Sequence, residues 1–161
     1  METSPKYSQK NSGHKDSFEV GNHFQDFVCI ELAKCNIVMQ NINSKKYQFE
    51  VGENLQGFEI KYDARCTGDG GTIATNRLSI EIAEKSNADN PNYIPSGIFR
   101  NDNSWLYIQG NFKEFWVFSK KFLISLYRTN KYELGKHPTV KTFYLPVEHA
   151  DKYCCKKFTF S

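Results

Sequence analysis

Three acids and a lysine crowd into the segment Gly52–Asp63, GENLQGFEIKYD. Strand alternation after Gly57 puts Glu59, Lys61 and Asp63 on one face and Phe58, Ile60 and Tyr62 on the other. Alone, a Glu-x-Lys row is commonly an exposed ion pair on a solvated strand. Glu53 changes that reading, because it lies six residues before Glu59 across a glycine-bounded turn. Two converging carboxylates favour a hard divalent cation that keeps open water positions. Such an ion polarises a phosphoryl oxygen and acidifies a bound water. Lys61 would then hold the attacking water or the negative charge that grows in the transition state. Acid, acid and lysine together are what phosphodiester hydrolysis needs. Glu50 competes with Glu53 for the first acid, but it falls within a strand-like run, so Glu53 is favoured.

Other residues are candidates for supporting roles. Glu81 projects from the polar face of Arg77–Ala83 (RLSIEIA), where it could support Lys61 or a metal-bound water, or merely face solvent. Asp63 reads as a structural group. The segment CTGDGGT, Cys66–Thr72, is glycine-rich but lacks the GK[ST] of a phosphate loop. Trp105 and Tyr107 read as core aromatics. The five cysteines form no CxxC pair, and no histidine can be matched to any of them. Free thiols in a reducing compartment are expected.

The elements that must position these groups are short. Asn22 can cap a helix with Gln25 three residues on. Phe24, Phe27, Val28, Glu31, Leu32 and Cys35 then follow the spacing of one helix face. Strand-like runs come next at Asn36–Gln40, Tyr47–Val51 and Phe58–Asp63. Arg77–Ala83 alternates, with Leu78, Ile80 and Ile82 on one face. Trp105–Gln109 and Phe115–Ser119 read as further strands. Ser119 can cap a helix through Thr129 that buries Phe122, Leu123, Leu126 and Tyr127. Lys141–Val147 reads as extended, His149–Cys155 as a short helix and Lys157–Phe160 as an edge strand. The fold class expected is α/β, a single domain with a central mixed β-sheet flanked by helices. It would occupy residues 18–161, after a polar N-terminal tail over residues 1–17.

A chain of 161 residues suits one core. The tail lacks the apolar stretch of a secretory signal, and no apolar run approaches the roughly 20 residues of a membrane span. A cytoplasmic address and no membrane partner are expected. The net charge of +3 says little by itself, but it is unevenly spread. Residues 113–161 hold ten Lys/Arg against four Asp/Glu, and residues 1–112 hold eleven against fourteen. A basic last third beside an acidic remainder fits a phosphate-contacting face next to a cation site. Lys120 and Lys121 are the phosphate contacts this suggests.

The segment GENLQGFEIKYD resembles the core signature of the PD-(D/E)XK superfamily, the restriction-endonuclease-like nucleases. Glu53 matches the first acid, standing where the pattern usually has Asp, and Glu59 and Lys61 match the (D/E)xK pair. The likeness extends to a phage- and bacterium-associated branch, through Thr75–Glu81 (TNRLSIE), Ser96-Gly97-Ile98, Asn103–Tyr107 (NSWLY) and the Leu-Pro segment of FYLPVEHA. It covers roughly residues 20–155. The resemblance implies a restriction-endonuclease-like fold, Mg²⁺ (or Mn²⁺) held by Glu53 and Glu59, and DNA endonuclease activity on duplex DNA. Glu81 would join the site. A glutamate on the first helix is often part of it too. Here Gln25 aligns with that position and Glu31 lies a turn and a half later, so both remain candidates. A homodimer stays open. The alternative is a catalytically inactive nucleic-acid-binding or regulatory protein on the same fold.

Overall fold

Short aromatic and β-branched runs supply most of the strands in the computed structural model, which describes residues 5–160, with side chains from Glu19 onward. In chain order the elements are α1 (Pro5–Ala33), α2 (Lys45–Glu50), β1 (Phe58–Tyr62), β2 (Arg77–Glu84), β3 (Ile94–Pro95), β4 (Leu106–Gly110), β5 (Glu114–Ser119), α3 (Lys120–Arg128), β6 (Val140–Pro146), α4 (Val147–Tyr153) and β7 (Lys156–Thr159). The chain divides into two compact units, residues 1–38 and 39–161. No described helix is long and apolar enough to cross a membrane.

The first unit is α1 and the turn that ends it. Phe24, Val28 and Leu32, spaced by four, are its buried stripe. The helix takes in residues 5–17 of the segment read as a tail; residues 1–4 lie outside the described residues. Asn22 therefore lies inside the helix and caps nothing, because the helix continues upstream of it. Asn36, at φ 63°, turns the chain out of the helix, and the Ile37 amide returns to the Leu32 carbonyl at 3.0 Å.

The second unit is α/β. One sheet is mixed and four-stranded, in the order β1-β4-β5-β7, with β1 and β4 parallel and the other pairs antiparallel. A second, antiparallel sheet has the order β3-β2-β6. Two sheets thus stand where one central sheet was expected. The clean alternation of β2 is realised: Leu78, Ile80 and Ile82 are buried, and they share a core with Tyr107, Trp116, Phe118, Phe143 and Leu145 of both sheets and Leu123 and Leu126 of α3. Ser119 caps α3 by accepting from the Phe122 amide at 3.3 Å. Phe122 itself is 40% exposed, its ring against Tyr153 at 5.5 Å, so it is not part of the buried stripe expected for it.

Two expected strands are absent. Residues Asn36–Gln40 form a turn and irregular chain, and Tyr47–Val51 is largely the helix α2. The alternating Tyr47, Phe49 and Val51 mimic a half-buried strand, yet all three are exposed. With no buried face to reward extension, the helix-forming Lys, Gln and Glu among them decide the local conformation.

The two sheets are tied near the C-terminal end of β1. Asp63 Oδ2 accepts from the Ser79 amide of β2 at 3.1 Å and from Gln109 Nε2 of β4 at 2.8 Å. Gln109 Nε2 also donates to the Ser79 carbonyl at 3.0 Å. Asp63 Oδ1 accepts from the Cys66 amide as well, so its role is structural.

Candidate active site

The loop Gly52–Gly57 is folded by its own asparagine. Asn54, fully buried, accepts from the Phe58 amide at 2.8 Å and donates back to the Phe58 carbonyl. A second segment clamps the loop from outside. Asn103 donates its amide to the Val51 carbonyl and its side chain to the Asn54 carbonyl, both at 2.7 Å, and Trp105 Nε1 donates to the Gln56 carbonyl at 2.7 Å. Gly57 has φ +77°, and a Cβ there would meet the Asn103 carbonyl oxygen at 2.5 Å, so only glycine fits. The result is that Glu53 turns back on β1 and accepts from the Ile60 amide at 3.3 Å. Because β1 is an edge strand, this carboxylate also satisfies a backbone donor that has no ladder partner on that side.

Glu59 and Lys61 share the β1 face that looks into the core, in register with Tyr107 and Gln109 of β4. Glu59 is only 2% exposed, so the row is not a solvated surface pair. Lys61 Nζ lies 3.4 Å from Glu59 Oε1 and 3.7 Å from Glu81 Oε2. The Glu59 contact has ion-pair distance but not hydrogen-bond geometry, and both Glu59 oxygens are buried without a hydrogen-bond partner among the described residues. Glu81 is itself fixed by a 2.7 Å hydrogen bond from Ser96 Oγ. The turn that carries Ser96 packs hard on β2: a Cβ on Gly97, at φ +54°, would fall 2.1 Å from the Glu81 carbonyl oxygen.

Burial sets the proton affinities here. It pushes the Glu59 carboxyl up to about 7, against the opposing pull of Lys61 and with help from Glu53 and Asp102. Glu53 is raised as well, chiefly by burial. For Lys61 burial acts downward, but Glu59, Glu81 and Glu53 together outweigh it and hold the ammonium above its ordinary value. Lys61 is therefore charged at neutral pH, while Glu59 sits near its titration midpoint. The Tyr107 hydroxyl, opposite Glu59 in the register, is pushed up by burial and stays neutral.

A second, unanticipated knot lies alongside. Lys120 Nζ donates to the Arg100 carbonyl at 2.8 Å and Ser104 Oγ at 2.7 Å and pairs with Asp102 Oδ1 at 3.3 Å. Asp102 also accepts from the Ser104 amide at 2.9 Å, and its hydrogen bonds and Lys120 hold its pKa below the usual value despite burial. Lys120 is thus a buried structural cation, which removes it from the expected phosphate contacts; Lys121 is exposed.

Of the candidates read from sequence, Glu53, Glu59, Lys61 and Glu81 come together. Glu50 lies exposed in α2. Gln25 and Glu31 belong to α1, in the other unit, where Glu31 takes a 2.7 Å ion pair from Lys34. Asn54 and Ser96 position the cluster, while Asp102 and Lys120 act on Glu59 through their charge; none of the four was assigned such a role from sequence. Only Asn54 had a local signal, an amide side chain inside a glycine-bounded turn.

No group of three or more His, Cys, Asp or Glu that could hold a metal occurs among the described residues. What the cluster offers is a pair of acids, one of them buried with neither oxygen hydrogen-bonded among the described residues. That suits Mg²⁺, which is bound through one or two carboxylates and retains several waters. A cleft of about 540 Å³, lined by Arg77, Tyr132, Tyr144 and His149 among others, shares no residue with this cluster. Compared with family models, curated proteins and solved structures, the chain matches none.

Proposed function

We propose that this chain is a Mg²⁺- or Mn²⁺-dependent nuclease of the PD-(D/E)XK type, with a restriction-endonuclease-like fold, that hydrolyses phosphodiester bonds in duplex DNA. The observation that carries the reading is Glu59: a carboxylate buried inside the protein, with neither oxygen hydrogen-bonded among the described residues and a lysine 3.4 Å away. Burying an acid in this way is costly, and a cation-binding role supplies the missing partner.

In this reading Glu53 and Glu59 hold the divalent ion, which when bound supplies a polarised phosphoryl oxygen and a more acidic water. Lys61, kept charged by three glutamates, faces the negative charge that develops on the phosphoryl group. Glu81 aims Lys61 from the other side, 3.7 Å from the ammonium. A cytoplasmic address goes with this reading and suits the five free cysteines.

Isothermal titration with Mn²⁺, paired with cleavage of a plasmid and a short duplex, tests it. Binding and Mn²⁺-dependent cleavage that both disappear in Glu59→Ala are the expected result. A parent protein that binds duplex DNA but cleaves nothing with any divalent ion would instead make it a binding module.

A further inference from the structure

Trp105 is 59% exposed, although it is hydrogen-bonded to the loop that carries Glu53. Its openness is not looseness. The indole Nε1 donates to the Gln56 carbonyl at 2.7 Å, the backbone amide donates to the Gly57 carbonyl at 2.9 Å, and the ring leans on Phe58 at 6.1 Å. The polar edge is thus satisfied on the loop that carries Glu53, and a large apolar surface is left in solvent. Trp105 also borders a cleft of about 490 Å³, with Arg100, Asp102, Ser104, Lys120 and Lys121 among its other walls. That volume lies within the range of sites that accept a small ligand. Inside it, Lys120 and Asp102 neutralise each other and Arg100 is turned to Asp102 and the Gln48 carbonyl. Lys121 is the exposed cation on the wall.

A rigid aromatic surface beside an exposed cation is the recognition chemistry of a nucleotide, the ring stacking on the base and the ammonium meeting the phosphate. In a continuous duplex each base is covered above and below by its neighbours, so an indole can stack only on a base that has left the helix. We infer that Trp105 and Lys121 form a docking site for one unpaired nucleotide, and that the substrate is duplex DNA interrupted or ended by such a nucleotide. This rests on the nuclease reading above, which it narrows.

The test compares three DNA hairpins, each closed by the same nucleotide-free linker, in EDTA, where no cleavage occurs: a fully paired hairpin, the same hairpin with one extra unpaired thymidine, and the same hairpin with an abasic residue at that place. The full-length protein is expected to bind the unpaired thymidine roughly tenfold more tightly than the paired hairpin. The abasic residue and Trp105→Ala should each abolish that advantage, whereas Trp105→Phe should keep part of it. Lys121→Ala should weaken the thymidine and abasic hairpins, which both present the displaced phosphate, more than the paired one. The unaltered protein provides a readout that needs no variant: of its two tryptophans Trp116 is fully buried, so quenching specific to the unpaired hairpin reports on Trp105. Equal affinity for paired and unpaired hairpins, or an advantage that survives Trp105→Ala, overturns the docking site. If equal affinity comes with Mn²⁺-dependent cleavage, the nuclease reading stands; if none of the DNAs binds, both fail.

Discussion

The Glu53 carboxylate accepts the backbone amide of Ile60 at 3.3 Å, so the loop acid is pinned to the strand one residue beyond Glu59. A residue six positions away in sequence is thereby brought to the second acid by main-chain geometry. Two variants separate the roles of this pair. Glu59→Ala should eliminate Mn²⁺ binding in calorimetry. Glu53→Gln, which keeps an oxygen for the Ile60 amide, should weaken Mn²⁺ binding while preserving the melting temperature of the metal-free protein. Metal binding that is indifferent to both would move the cation site elsewhere.

Glu59 makes stability depend on pH in an unusual direction. Its pKa rises from 4.5 to about 7 on folding, so between those values the native state holds a proton that the unfolded chain has released. Stability therefore falls as pH rises from about 4.5 to about 7 and levels off above, a loss on the order of 3 kcal/mol from this group. Urea melts across that range should show the decline, and Glu59→Gln should flatten it and be the more stable protein at pH 8. Saturating Mg²⁺ at pH 8 should recover stability in the parent and leave the Gln variant unmoved.

Lys61→Ala is expected to act on turnover. Loss of one electrostatic stabiliser of this kind costs on the order of 10²–10³ in rate with little change in substrate affinity. A secondary effect follows from the geometry. Without the ammonium 3.4 Å away, Glu59 holds its proton to still higher pH, so Mn²⁺ affinity of the variant should be weak at pH 7 and recover towards pH 9. Cleavage that proceeds unaltered in Lys61→Ala would exclude this lysine from the chemistry.

Lys120 and Lys121, adjacent in sequence, should behave oppositely. Lys120→Ala leaves the buried Asp102 carboxylate with Arg100, 3.6 Å away, as its remaining counter-charge and should destabilise the fold by roughly 3 kcal/mol in urea melts. Lys121→Ala should leave stability unchanged and reduce the slope of log affinity against log salt by about 0.9, the signature of one lost phosphate contact. A Lys120 variant as stable as the parent would mean that the buried knot contributes nothing.

Strands with strict alternation were legible from sequence: β1 and β2 fall within a residue or two of where Phe58–Asp63 and Arg77–Ala83 placed them. Their period carries its own explanation, one face being core. Tyr47–Val51 carried the same period without a core to meet, and it folded as a helix. The gathering of Glu53, Glu59 and Lys61 followed from turn chemistry and alternation, both local, whereas Glu81 reaches them from the other sheet. The knot of Arg100, Asp102, Ser104 and Lys120 was invisible because it depends on the distance between the loop before β4 and the start of α3, which no local pattern encodes. Lys120 and Lys121 looked alike for the same reason: burial separates them, and burial is a property of the assembled unit.

The triangle of Asp63, Ser79 and Gln109 has a bearing on how finely the cluster is set. Glu59 and Lys61 belong to one sheet and Glu81 to the other, so the 3.7 Å between Lys61 and Glu81 is measured across a seam. The triangle closes that seam two residues along from both, through hydrogen bonds of 2.8–3.1 Å. It acts as a dowel between two plates: a slip of β2 by a single residue would carry Glu81 to the opposite face and break both bonds to Ser79 at once. The alignment of the sheets and the aim of the lysine are therefore one mechanical adjustment, held by a residue that touches neither acid.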